Sequence, residues 1–329
     1  MNRMGGLSTH LFFDCVGFFM RVVIIGQRIF GRAVLEAFLS RGDEVVAVFV
    51  APEKENARPD ALKTSALERK IPLFQFESLS SKAALETMEM LKADIAVMAY
   101  VIQFVPREFT RIPAHGTILF HPSLLPRHRG PSAVNWAIVC GEQETGVTVF
   151  RPTDEMDEGP VILQKTVPIH PDDTAGTLYY DRLLPIGVQT LLETADRVVS
   201  GNYEEKPQDT HAGSYESWLR ESDARINWGS HVNQVYNLIR GCNPSPGAWV
   251  AYGQEKIVIL ECRKVLYRRF QDVRGKVGTI LAADNDSFSV GVQGGEIRVL
   301  TVRTASGNKM GAGEFMQRSG LTVGMEFGR

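Results

Sequence analysis

Residues 21–50 read RVVIIGQRIFGRAVLEAFLSRGDEVVAVFV, and this stretch decides the fold. Val22 to Ile25 is an unbroken β-branched run that stops at Gly26, as in a strand buried on both faces. Phe30, Val34, Leu35 and Phe38 then recur at helical spacing until Gly42. Glu44 to Val50 supplies a second strand. Strand, helix and strand together close a unit of about 30 residues, whose crossover is right-handed and whose strands are parallel.

The alternation continues outward. Helices are predicted near Ala61–Lys70 and Ser81–Lys92, and strands at Leu73–Phe76, Asp94–Ala99, Gly116–Phe120 and Thr145–Phe150. One long helix is predicted over Gly176–Ser200, after the capping-type sequence PDDT. This predicts a doubly wound, parallel-sheet α/β domain over residues 20–204, whose ligands bind outside the carboxyl ends of the strands. Gly26-QRIF-Gly31 lacks the GxGxxG triplet and no GK[ST] follows, so its glycines are assigned to the turn and the helix start. Around EEKPQDTHAGS the composition turns polar, and residues 205–215 are read as a linker. Residues 216–329 carry one helix, Ser230–Arg240. Short strands follow at Ala248–Tyr252, Ile257–Leu266, Val277–Leu281, Ser287–Val292 and Glu296–Val302, suggesting a small OB-like β-barrel.

The net charge of −2 excludes a chain-wide electrostatic grip on nucleic acid. From Glu216 onward there are 15 Lys and Arg against 11 Asp and Glu, a balance of +4, leaving −6 before it. That is too little for a dedicated nucleic-acid module. Cys15, Cys140, Cys242 and Cys262 form no CxxC, so neither a zinc site nor a disulfide framework follows, and reduced thiols in a cytoplasmic protein are expected. The apolar patch from Leu11 to Met20 is too short to span a membrane, and no membrane partner is expected. Because MRVVIIG from Met20 makes a natural first strand, residues 1–19 are expected to be a disordered extension.

Chemistry concentrates in LFHPSLLPRHRGPSAVNWAIVCGEQETGVTVFRPTDEMDEG, residues 119–159. A predicted strand end leads to His121, then a loop made rigid by two prolines and a glycine, and finally an acidic loop with Asp154 and Asp157. His121 and Asp157 are 36 residues apart, so only the fold can join them. A histidine works as general acid or base near neutral pH, and a carboxylate can orient it. Taken alone, His121 reads equally as a loop-packing residue and Asp154 as a solvated acid. Ser123 lacks a GxSxG elbow. Arg127, His128 and Arg129 read either as contacts for an anionic part of a substrate or as a solvated face.

HPSLLPRHRG followed by GVTVFRPTDEMDEGPVILQ resembles the 10-formyltetrahydrofolate-dependent formyltransferase family. INW (Ile226–Trp228), IRG (Ile239–Gly241) and PGAW (Pro246–Trp249) extend the resemblance into the C-terminal part. It implies His121 and Asp157 as catalytic residues, Asp157 also bordering the folate, and Gln103, Phe104 and Val105 as lining the folate pocket. It further implies 10-formyltetrahydrofolate as co-substrate, with no metal. Transferases of the family place an Asn two residues before the histidine, where this chain has Leu119. The hydrolase domain of 10-formyltetrahydrofolate dehydrogenase also has an aliphatic residue there, and is the nearer likeness. With the chain ending at Arg329, no aldehyde dehydrogenase module and no NAD are expected.

Water is therefore the favoured formyl acceptor. Methionyl-tRNA formyltransferases carry a basic insertion after the second strand. Here PEKENARPDALK (residues 52–63) sets Glu53, Glu55 and Asp60 against Lys54, Arg58 and Lys63, a net charge of zero. A tRNA partner is kept open by Arg263, Lys264, Arg268, Arg269, Arg274 and Lys276. A small amine such as an amino-sugar nucleotide, and a non-catalytic folate-binding role, are further alternatives. An oxidoreductase on the same sheet is disfavoured by the missing fingerprint.

Overall fold

The first strand, β1 (Arg21–Gly26), is buried beyond Arg21, as its β-branched run predicts. Helix α1 (Arg28–Arg41) lays Phe30, Val34, Leu35 and Phe38 on it and ends at Gly42, whose φ of 98° is the left-handed cap that glycine adopts without strain. Strand β2 (Glu44–Phe49) then pairs parallel with β1. The structure is a computed structural model that describes residues 19–53, 57–272 and 275–328. Of the expected N-terminal extension, residues 1–18 lie outside that range, as do Cys15, Lys54, Glu55 and Arg274.

The domain continues with α2 (Ala61–Glu68), β3 (Leu73–Phe74), α3 (Lys82–Leu91), β4 (Ile95–Ala99), α4 (Arg107–Thr110), β5 (Thr117–His121) and α5 (Ala133–Val139). Then come β6 (Glu144–Phe150), β7 (Val161–Pro168), α6 (Ala175–Leu178) and α7 (Leu184–Val199). The sheet order is β3-β2-β1-β4-β5-β6-β7. The first five strands are parallel, whereas β6 runs antiparallel to β5 and β7 antiparallel to β6. The parallel α/β sheet expected from the sequence thus carries two antiparallel strands at one edge. A loop without a helix joins β6 to β7 and turns the chain straight back along its neighbour. The expected helix over 176–200 is also divided. A π-helical stretch, Tyr179–Leu183, separates α6 from α7, and Pro185 lacks the N–H that would continue the α ladder through it.

Alternation along the strands makes two cores. Val22, Ile24, Val97, Ile118 and Phe120 face one layer with α1 and α7, while Val23, Ile25, Met98 and Phe109 face the other. Leu119 packs against the second layer, and by the period of two His121 shares that face. In the loop after β2 the Asp60 carboxylate caps two helices at once. Oδ2 accepts the Arg28 N–H of α1 at 2.7 Å, and Oδ1 accepts Leu62 N–H of α2 at 2.9 Å. Glu53 pairs with Lys63 and accepts the Asp60 N–H at 2.8 Å.

The C-terminal part begins with α8 (Val232–Gly241). Strands β8 (Trp249–Tyr252), β9 (Glu255–Leu266), β10 (Ile280–Ala283), β11 (Phe288–Val292), β12 (Gly295–Arg303) and β13 (Lys309–Gly311) follow, then α9 (Ala312–Ser319). They form a curled antiparallel sheet in the order β10-β11-β12-β9-β8, with β13 on β12. Phe288, Phe315 and Phe327 fill it together with Trp228. Helix α8 docks on α5, where Asn135 Nδ2 donates to Gly241 O at 2.7 Å. A Cβ at Gly241 would come within 2.6 Å of Val139 Cγ2, so the close approach needs glycine. Among the described residues no helix is long and apolar enough to cross a membrane.

Candidate active site

Strand β5 ends on His121, which lies opposite Thr148 of β6. Its ring is buried, 7% exposed. Nε2 lies 2.8 Å from the His128 carbonyl oxygen. A carbonyl only accepts, so Nε2 carries the hydrogen and Nδ1 is the nitrogen left for chemistry. Nδ1 faces Asp157 Oδ2 at 3.6 Å. The fold thus brings together the two residues that sequence reasoning singled out.

Asp157 sits in the loop between β6 and β7 with φ of 58°, a left-handed conformation uncommon for a residue with a side chain. Three contacts hold it there. Oδ2 accepts the Gly130 N–H at 2.8 Å. Gln208 Nε2 donates to the carbonyls of Asp157 at 2.9 Å and Gly159 at 2.7 Å. Gly159 must itself be glycine, since a Cβ would fall 1.7 Å from the Arg151 carbonyl oxygen.

The loop from Pro122 to Gly130 is braced from within. Ser123, fully buried, donates from Oγ to Arg127 O at 2.7 Å, and its own carbonyl accepts Thr148 Oγ1 at 2.6 Å. Ser123 therefore braces the loop. The substrate-anion reading of Arg127, His128 and Arg129 is not supported, because each meets a carboxylate of this chain. Arg127 pairs with Glu142, and Arg129 with Glu158. The Arg127 hydrogen bond holds the Glu142 carboxyl below its usual range. His128 is buried between Glu216 Oε2, 3.2 Å from Nδ1, and Glu142 Oε1, 3.6 Å from Nε2. Asp154 is exposed.

Residues 205–215, expected as a plain linker, are loop-like but form a strap across the site. Lys206 and Val161 exchange backbone hydrogen bonds of 2.8 Å. The Ser214 carbonyl accepts Arg129 N–H at 3.0 Å, and Ser214 Oγ accepts His128 N–H at 2.9 Å. Gln208, Ser214, Glu142 and Glu216 escaped the sequence reading. Their polar side chains follow no motif, and only the polar run EEKPQDTHAGS, which holds Gln208 and Ser214 but neither glutamate, hinted at any of them.

Gln103, Phe104 and Val105 lie in the loop after β4, at the carboxyl end beside β5. Gln103 Nε2 is spent on the Phe76 carbonyl at 3.0 Å, and Val105 is buried in the same layer that Leu119 packs against. Phe104 is 67% exposed, the most open of the three. Leu119 is half-buried, on the His121 face, with no polar atom to offer beyond the backbone.

The sequence model described as Formyl transferase matches residues 20–194, and that described as Formyl transferase, C-terminal domain, matches residues 219–320. The chain is 36% identical over 243 residues to cytosolic 10-formyltetrahydrofolate dehydrogenase of Xenopus tropicalis, covering 72% of this chain and 27% of that one. It therefore spans about a quarter of the length of that relative. It is 30% identical over 310 residues to methionyl-tRNA formyltransferase of Thermodesulfovibrio yellowstonii, covering 93% and 98%. In fold it resembles HypX from Aquifex aeolicus, solved with tetrahydrofolic acid, at a TM-score of 0.66 and 19% identity, covering 92% of this chain and 48% of that one. It also resembles an N-formyltransferase from Helicobacter canadensis at a TM-score of 0.63 and 21% identity, covering 85% and 99%. Matched along both parts, with His121 and Asp157 paired at the sheet's carboxyl edge, the chain belongs to the formyl transferase family.

Proposed function

We propose that this protein hydrolyses 10-formyltetrahydrofolate, with water as the formyl acceptor. The observation that carries the reading is Leu119: the position two residues before His121, on the same face, holds an aliphatic side chain packed into the sheet's second layer. No side-chain amide there assists a transfer to an amine. Phe104 covers the folate from the loop after β4.

Water is the smallest nucleophile that can sit beside the His121–Asp157 pair within reach of Nδ1. As it attacks the formyl carbon a C–O bond forms, the carbonyl pair moves to oxygen, and the water proton passes to Nδ1. Asp157 steadies the resulting imidazolium, whose Nε2–H stays on the His128 carbonyl. Collapse of the tetrahedral oxyanion breaks the bond to N10, Nδ1–H protonates that nitrogen, and tetrahydrofolate leaves with formic acid, which gives up its proton to solvent as formate. General acid–base help of this kind contributes about 10²–10⁴ in rate. The reduced thiols Cys140, Cys242 and Cys262 fit a cytoplasmic setting.

A methionyl-tRNA acceptor is the second reading, favoured by the relative aligned over 98% of its length and by exposed Arg263, Arg268 and Arg269. The loop after β2 opposes it, because Glu53, Lys63 and Asp60 are spent on one another and on helix caps. The test incubates the purified protein with 10-formyltetrahydrofolate, alone and with charged initiator tRNA. Formate release without acceptor supports hydrolysis, and formylated tRNA at a faster rate would overturn it. His121→Ala and Asp157→Ala should each cost about 10³-fold or more in kcat.

A further inference from the structure

The His128 side chain is buried and takes no part in the reaction, yet its backbone carbonyl is the partner of the catalytic ring. We infer that His128 is a positioning residue: clamped between two carboxylates, it aims its carbonyl at His121 Nε2 and so fixes which nitrogen of His121 meets Asp157. The inference rests on the assignment of His121 as catalytic.

Three observations support it. First, His128 has φ of 54°, which a residue with a Cβ seldom adopts unless its surroundings hold it there. Second, the surroundings do hold it, through three residues on two separate chain segments. The backbone N–H donates to Ser214 Oγ at 2.9 Å, Nδ1 meets Glu216 Oε2 at 3.2 Å, and Nε2 faces Glu142 Oε1 at 3.6 Å. Third, the direction of the residue-128 carbonyl follows from that backbone conformation, and this carbonyl takes the Nε2–H of His121 at 2.8 Å. A relaxed residue 128 would turn the peptide plane and leave His121 free to rotate. A histidine serving only to pack would need neither the left-handed backbone nor the Glu216 carboxylate bonded to Nδ1.

The clamp also has a reach. Ser214 lies in the strap and Glu216 directly follows it into the C-terminal part, so His128, which orients the catalytic ring, is held by residues 86 and 88 positions further along the chain than itself. Glu216 N–H further donates to Arg129 O at 3.1 Å, tying the strap to the residue after the clamp.

The test compares His128→Ala, His128→Asn and Glu216→Gln in the full chain. It measures kcat and KM for 10-formyltetrahydrofolate, together with the proton and nitrogen NMR signals of the ¹⁵N-labelled His121 ring. His128→Ala should lower kcat about 10²-fold with KM changed less than about threefold, since misplacing a catalytic group by an ångström costs roughly that much. The protected Nε2 proton of His121 should disappear with it. Asn tolerates the left-handed region, so His128→Asn should restore about tenfold of the loss. Glu216→Gln keeps the side chain's shape and should cost about three- to tenfold, which decides the matter if the alanine variant does not fold. Alanine and asparagine variants of equal activity, or an unchanged His121 proton in His128→Ala, would overturn the inference. Full turnover by His121→Ala would instead overturn the site, and the ring signals would still report on the clamp.

Discussion

Gln208 touches no expected substrate atom, yet its replacement by alanine should damage turnover. Its Nε2 donates to the carbonyls of Asp157 and Gly159, at 2.9 and 2.7 Å. Two hydrogen bonds at about 0.5–1.5 kcal/mol each amount to roughly 1–3 kcal/mol holding the acidic loop. Against them stands the left-handed backbone of Asp157, which by itself costs about 1–3 kcal/mol to maintain. Once the brace goes, the two magnitudes are comparable, and a relaxed loop becomes populated. At about 1.4 kcal/mol per factor of ten, kcat should fall roughly 10- to 100-fold in Gln208→Ala. The assay follows formate release from 10-formyltetrahydrofolate at saturating substrate, beside a thermal melt of the same preparation. A melting point lowered by a few degrees with kcat within about twofold of the parent would refute the reasoning, because the strap would then support the fold without setting Asp157.

Leu119→Asn tests the missing donor: an added oxyanion-hole amide is worth up to about 10²–10³ in rate, so kcat should rise, and no gain would mean that backbone or water already fills that role. For Glu142 the sign is fixed by its lowered carboxyl, which the Arg127 hydrogen bond favours first in the charged form. Its stabilising contribution is present above the ordinary carboxylate range and is lost as pH falls through the folded value, so the melting difference between the parent and Glu142→Gln should shrink on acidification. Burial pushes the thiols of Cys242 and Cys262 up to about 12, leaving a thiolate fraction of about 10⁻⁴ near pH 8. A disulfide reagent should therefore label exposed Cys140 ahead of both, and reach them at comparable rates only after denaturation.

How far the sequence carries depends on the range of the signal. β1, α1 and β2 were legible because β-branched runs, helical spacing and Gly42 all act within a few residues. β7 was not, since VILQKTVP lies half-exposed along the sheet edge and shows no clean alternation. α9 is short, with Ala312, Phe315 and Met316 as its apolar stripe, and so gave little periodicity to read. At the site, His121 and Asp157 were found by resemblance to a motif. The clamp on His128 was not, because Glu216 lies 88 residues away and any surface glutamate looks the same in a sequence.

The shared cap at Asp60 has a consequence for anion binding at the start of α1. A helix start beyond the first strand of such a sheet is a ready receptor for phosphate, with free N–H groups pointing outward. At α1 that place is already taken by a carboxylate of the same chain, bonded to Arg28 N–H and simultaneously to the head of α2. Asp60 behaves as a tethered competitor at an effective concentration on the order of millimolar, and the loop that carries it never diffuses away. A phosphate seated at that helix start would have to evict it and uncap two helices together.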